Sequence, residues 1–238
     1  RLIKRGKMGL VRAIFSRFGL MLLLLLLQFG LLFSIFRWFG NLVPHYFGSS
    51  ILLTAGMVLY LLSSDLDNSV KITWLVVIAV LSALAVAARV VIPIPNFKAI
   101  FAIIMLSGIA FGPETGFLVG AISAFASNFF YGQGPYTPWQ MFAYGAGGLL
   151  AGFLFAKGRL PRKPVVMGVF GFLTTLLLVG PLLDTCSVFL ELSVINVWTA
   201  WPRYVSGFWV NLSQGVCTFL TMVIFGNPLL EKLDRVKV

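Results

Sequence analysis

Apolar runs long enough to cross a bilayer leave this chain little choice of fold. They fall at about 18–37, 48–63, 72–92, 99–112, 115–131, 138–156, 164–183 and 203–226, separated by short polar or Gly/Pro breaks. A hydrocarbon core about 30 Å thick needs about 20 apolar residues per helical crossing. Within it every backbone N–H and C=O must be satisfied internally, so only helices or closed barrels span it. The expectation is an all-α polytopic membrane protein with roughly eight spans. Only 11% of the residues are charged, against about 25% in soluble domains, which excludes a soluble core.

The net charge of +11 is distributed as a membrane topology signal and not as a nucleic-acid surface. Arg1, Lys4, Arg5, Lys7, Arg12 and Arg17 precede the first run, and Lys71 follows the second. Lys157, Arg159, Arg162 and Lys163 share one connection, and Lys232, Arg235 and Lys237 the tail. With alternating helices these 14 of the 18 basic residues fall on one side. The positive-inside rule makes that side, with both termini, cytoplasmic, in a multi-pass plasma-membrane protein. The start at Arg1 reads as trimmed or processed, and the basic stretch before Leu20 to Leu27 as an uncleaved anchor, since no small-x-small site follows directly.

The breaks are more informative than the runs. Gly112-Pro113 is a helix stop, and Leu160-Pro161-Arg162-Lys163-Pro164 a rigid turn. Asp65 to Ser69 is a polar break that could N-cap the third span. Residues 184–202, with Asp184, Glu191, Trp198 and Trp201, read as a longer outer connection. The island Ser127 to Met141 is polar, aromatic and Gly/Pro-punctuated; it is either a lined pocket or a short loop with interfacial aromatics. Small residues recur four apart at Ala79, Ala83 and Ala87, at Gly112, Gly116 and Gly120, and at Gly148 and Gly152. Such faces let helices approach closely in lipid, within one chain or between chains. The Ala stripe is the best candidate for a partner-facing surface.

Enzyme chemistry is missing. His45 is the one histidine, and Cys186 and Cys217 have no metal-ligand spacing, so no metal site or cofactor is expected. The seven acidic residues read as scattered over loops and ends. No Walker-type phosphate loop occurs, so ATP hydrolysis would come from another subunit. What remains are neutral polar groups near outer helix ends: Asn96, Asn128, Gln133, Gln140, Tyr144, Asn211 and Gln214, with Tyr136 and Trp139 in the island. Arg89 lies at a similar depth and precedes a Pro-rich turn; Arg203, after Trp201-Pro202, reads as a snorkelling cation. Amides and aromatics in an apolar cavity suit an uncharged or amphipathic organic ligand, though each amide could equally make an interhelical hydrogen bond.

From about residue 75 onward the chain resembles the S components, the substrate-binding subunits, of energy-coupling factor (ECF) vitamin transporters. The likeness is carried by Ala-Ala-Arg-Val-Val-Ile-Pro-Ile-Pro-Asn-Phe at 87–97, Gly-Ile-Ala-Phe-Gly-Pro-Glu-Thr-Gly-Phe at 108–117 and Gly-Gln-Gly-Pro-Tyr-Thr-Pro-Trp-Gln-Met at 132–141. It implies a six-helix core over 71–238 that captures a vitamin outside the cell and docks on a transmembrane coupling subunit driven by two ATPase subunits. It implies that Ala79, Ala83 and Ala87 face the coupling subunit, and that 93–98 and 131–138 gate and line the pocket. The island is most similar to cobalamin-type members. Residues 12–39 and 60–74 resemble the N-terminal membrane anchor of phospholipase-D-type cardiolipin synthases, giving an anchor of two extra helices over 1–70 without the synthase's catalytic repeats. Two further readings differ in kind: an inactive cardiolipin-synthase-like fragment, and a structural membrane assembly protein.

Overall fold

The computed structural model describes residues 68–192 and 195–236. All belong to the second of two units into which the chain divides, Tyr46–Val238. The spans expected at 18–37 and 48–63, the anchor over 1–70 and His45 lie outside the described residues. The described elements are all helical: α1 (Asn68–Val90), α2 (Ile100–Phe111), α3 (Pro113–Tyr131), α4 (Thr137–Phe155), α5 (Pro164–Thr174), a π-helical turn (Thr175–Val179), α6 (Gly180–Glu191) and α7 (Val197–Asp234). Among the described residues three rods are long and apolar enough to cross a membrane: Ile72–Val90, Pro164–Glu191 and Val197–Asp234.

α2 is the centre. Its 12 residues extend about 18 Å, short of a full crossing. Every side chain from Ile100 to Ala110 is buried, and α1, α3, α4 and α7 pack around it. Its end is set as the sequence predicts. Gly112 takes φ +105, a conformation suited to glycine, its N–H closes on Gly108 O at 2.8 Å, and Pro113 opens α3.

α3 and α4 make the most extensive helix contact, and glycine is the reason. A Cβ placed on Gly116 would collide with the Gly148 carbonyl and one on Gly120 with the Tyr144 and Gly145 backbone. One on Gly152 would meet the Gly112–Pro113 backbone. Lipid offers no hydrophobic drive for helix association, so this backbone proximity supplies packing that larger residues would forbid. These Gly stripes are therefore intramolecular. The Ala stripe differs: among the described residues Ala79, Ala83 and Ala87 stay exposed on α1 with Val76, Val80 and Leu84, while Ile78, Leu81, Ser82 and Ala85 face the bundle.

The stretch 184–202 is not a loop. Helix continues through Asp184 to Glu191, and α7 begins at Val197. Asn196 caps α7 by accepting the Thr199 N–H at 2.9 Å, and Thr199 Oγ1 accepts the Asn196 N–H at 3.0 Å, a reciprocal capping box. The polar residues that suggested a loop are paired instead, Glu191 with Arg203 on α7 at 2.6 Å. A π-helical turn at Thr175–Val179 leads into Gly180-Pro181 without a break in the rod, and Pro202 lies inside α7.

Successive helices run in opposite directions, so the described chain has two ends. One gathers the 156–163 connection and the end of α7, where Arg162 pairs with Asp234 at 3.2 Å and donates to Ile109 O of α2 at 2.8 Å. A cation there also suits the negative end of the α2 dipole. The opposite end gathers 91–99, 132–136 and the described residues on either side of the α6–α7 junction, Leu192, Ile195 and Asn196. If the glycine seam sets the packing, Gly116→Leu should lower stability by about 1–3 kcal/mol or more, whereas Ala83→Leu on the exposed face should change it by less than about 0.5 kcal/mol. Thermal unfolding of the two variants in detergent makes the comparison.

Candidate functional site

At the end opposite the Arg162–Asp234 pair, the last turns of α1 and α3 meet the first turn of α4. Asn128 on α3 is fully buried and is the hub. Its Oδ1 accepts from Arg89 Nη1 at 3.0 Å, while its Nδ2 donates to Gln140 Oε1 at 2.8 Å and Thr137 Oγ1 at 3.1 Å. Both amide protons and the carbonyl are thereby used, which fixes the amide orientation. Arg89 Nη1 also donates to Ser127 Oγ. Thr137 Oγ1 donates to Gln133 Oε1 at 2.9 Å, and Gln133 Nε2 donates back to Phe125 O at 3.0 Å, closing the 132–136 turn onto α3.

Arg89 has no carboxylate partner among the described residues. Its guanidinium instead lies 4.7 Å from the Tyr131 ring centroid and 5.7 Å from that of Tyr144, and Tyr131 OH donates to Arg89 O at 2.9 Å. Ring faces attract cations, most strongly where water is scarce. Phe101 of α2 meets Tyr144 edge-on at 4.8 Å, seating that ring on the core. Only Nη1 of Arg89 and Oε1 of Gln140 are engaged, so Arg89 Nη2 and Nε and Gln140 Nε2 are spare donors among the described residues. The site can therefore offer several N–H groups and two aromatic rings to a ligand that carries acceptors.

A second polar cluster joins α6 to α7 near the same end. Asn211 Nδ2 donates to Asp184 Oδ2 at 2.8 Å, and the Thr185 and Tyr204 hydroxyls lie 2.8 Å apart. Gly180 and Gly207 make the room: a Cβ on either would overlap the Asn211 amide or the Asp184 carboxylate. Between the clusters, Trp139 on α4 donates Nε1–H to Leu182 O of α6 at 2.6 Å and packs against Phe189 at 5.9 Å.

Of the residues expected to line a pocket, the structure brings Arg89, Asn128, Gln133, Gln140 and Tyr144 together. Trp139 is the strut between α4 and α6, and Tyr136 OH holds its own turn through Gly132 O at 2.7 Å. Asn211 belongs to the second cluster. Asn96 joins neither: it is exposed at φ +56 after Pro95, with the Phe97 N–H on Ile94 O at 3.4 Å, so its role is to turn the chain. Gln214 also joins neither, and its carbonyl accepts from Thr218 Oγ1 at 2.8 Å. Ser127, Tyr131 and Thr137 in the first cluster, and Asp184, Thr185 and Tyr204 in the second, were not among the expected residues. Tyr204, Gly207 and Asn211 at i, i+3 and i+7 on one helix face would have signalled the second cluster, had 184–202 not read as a loop. Among the described residues no group of His, Cys, Asp or Glu could hold a metal.

Residues 69–235 match the family described as ECF-type riboflavin transporter, S component. This chain belongs to that family. An S component is a substrate-binding subunit and not an enzyme, and it works with ATPase and transmembrane subunits. The match carries the riboflavin description, where the island's resemblance pointed to cobalamin-type members, and it begins at 69, beyond nearly all of the anchor-like segment. No curated protein and no solved structure matches the chain. In this S component the Asn128 hub is fully buried and joins three side chains. Asn128→Ala removes one bond each from Arg89, Thr137 and Gln140 and should cost about 1–3 kcal/mol, read as a lowered unfolding temperature in detergent.

Proposed function

We propose that the chain is the vitamin-capturing subunit of an ATP-driven importer and that its vitamin is riboflavin. The observation that carries this reading is the family match over residues 69–235. The first cluster supports it chemically. A flavin ring is planar and bears two carbonyl oxygens and acceptor nitrogens, which suit the spare donors of Arg89 and Gln140 beside the Tyr131 and Tyr144 rings. Gln133, Tyr136 and Trp139 would shape the wall, and the turn at Asn96 would cover it. Cobalamin, suggested by the island at 132–141, is the competitor to titrate beside it.

The positive-inside rule gives the orientation. Lys157, Arg159, Arg162, Lys163, Lys232 and Arg235 lie at one end of the described bundle and would be cytoplasmic, with the chain's termini, so that both clusters open outward in the plasma membrane. The exposed Ala79, Ala83 and Ala87 would then dock the transmembrane coupling subunit at close range, leaving ATP hydrolysis to the ATPase pair. In this reading 71–238 is the six-helix capture core and 1–70 a two-helix anchor.

Riboflavin titrated into the purified chain, followed by quenching of flavin fluorescence, should saturate without ATP, and cobalamin should not displace it. Gln140→Ala should weaken binding by about 1 kcal/mol or more, roughly fivefold; unchanged affinity would leave Gln140 as a purely interhelical bond. Ala83→Leu should abolish co-purification with the coupling subunit while riboflavin affinity stays the same. A variant that still co-purifies would remove the Ala stripe from the interface.

A further inference from the structure

The second cluster is an unusual expense for a membrane helix pair. Asp184 sits about two turns before the end of α6, inside the apolar rod Pro164–Glu191. Carboxylates in such segments are costly, and where they occur they generally face protein or a water-filled cavity and serve a function. Asp184 has one hydrogen-bond partner, Asn211 Nδ2 on its Oδ2; its Oδ1 has none among the described residues. No ion pair neutralises it there, because Arg203 on the facing helix is bound to Glu191. Gly207 on α7 makes room for it: a Cβ there would overlap the carboxylate.

The hydrogen-bond polarity of this cluster is opposite to that of the first. Thr185 Oγ1 donates its proton to Pro181 O at 2.7 Å, so Tyr204 OH donates to Thr185, and the Tyr204 oxygen keeps its lone pairs. Asn211 Oδ1 and Asp184 Oδ1 are likewise unused acceptors among the described residues. Around Arg89 and Gln140 the spare groups are donors; here they are acceptors, one of them a carboxylate. Hydroxyl groups are the natural complement of such a cluster, and O–H···O⁻ bonds are among the strongest neutral-to-charged contacts available.

We infer that Asp184, held by Asn211 and assisted by the Tyr204 hydroxyl, reads the hydroxylated side chain of the vitamin, while the Arg89–Gln140 side reads its ring. This rests on the riboflavin reading, because riboflavin joins a dicarbonyl ring to a polyhydroxylated ribityl chain. Asp184 is thus a specificity residue that distinguishes a flavin with its chain from the bare ring.

Lumiflavin, which has the same ring with a methyl group in place of the chain, separates the two contributions. The full chain in detergent should bind riboflavin more tightly than lumiflavin. Asp184→Asn should weaken riboflavin binding by about tenfold or more and leave lumiflavin affinity within about twofold. Tyr204→Phe, which removes one hydroxyl without changing the fold, should show the same chain-selective loss at smaller size, and stands in if Asp184→Asn fails to fold. Equal loss for both flavins, or no loss for either, overturns the inference and leaves the riboflavin reading intact. Wild-type chain that binds neither flavin overturns the riboflavin reading itself, and this inference with it.

Discussion

Backbone-to-backbone contact between α3 and α4 is the constraint from which the site follows. Gly116, Gly120, Gly148 and Gly152 let the two helices approach until main-chain atoms touch, Gly145 makes room for the Phe117 ring, and the 132–136 connection is correspondingly tight. At that distance Asn128 of α3 reaches Thr137 and Gln140 of α4 without an intervening water. Separating the helices by the width of one methyl group would stretch these bonds beyond useful length. The glycine seam thus runs up to the polar cluster, with Gly120 against the Tyr144 backbone, and sets its spacing.

The polar groups gathered there show how a membrane protein can keep a cation in an apolar setting without a counter-charge. Arg89 is held by an amide oxygen, a hydroxyl and two ring faces. Each is weaker than an ion pair, but none must be desolvated as a charge. The result is a cation with unused donor capacity, which a neighbouring carboxylate would have consumed. The Asp184–Asn211 pair solves the inverse problem with the same economy, an anion held by one amide.

Much of this architecture was legible in the sequence. The helix stop at Gly112-Pro113, the starts at Pro164 and near Thr137, and the small-residue stripes follow from local chemistry that lipid makes decisive. The island's residues Asn128, Gln133 and Gln140 stood out because amides are rare between apolar runs. The Ala stripe was singled out as the outward-facing one, and it is exposed on α1; what the sequence did not show was the pairing inside, where Gly148 meets Gly116, because every small-residue stripe has the same period. The stretch 184–202 misled for a physical reason. Hydropathy averages over all faces of a helix, so Asp184, Thr185 and Glu191, turned toward α7, lowered the signal of a segment whose other faces are apolar. Pro202 reinforced the error, because a proline past the first turn removes an i→i−4 hydrogen bond and so reads as a boundary, yet α7 runs through it.

α7 runs unbroken through 38 residues, about 57 Å, nearly twice the thickness of a hydrocarbon core. Tyr204 and Asn211 lie in its first half, and Asp234, clasped by Arg162, closes its far end. If a rod of that length tilts as one piece, it works as a rocker arm. A tilt of about 10° around its midpoint carries each tip through roughly 5 Å. Whatever draws the α6–α7 wall inward at one surface is therefore registered at the other, at the ion pair between Arg162 and Asp234, without any local unfolding between them.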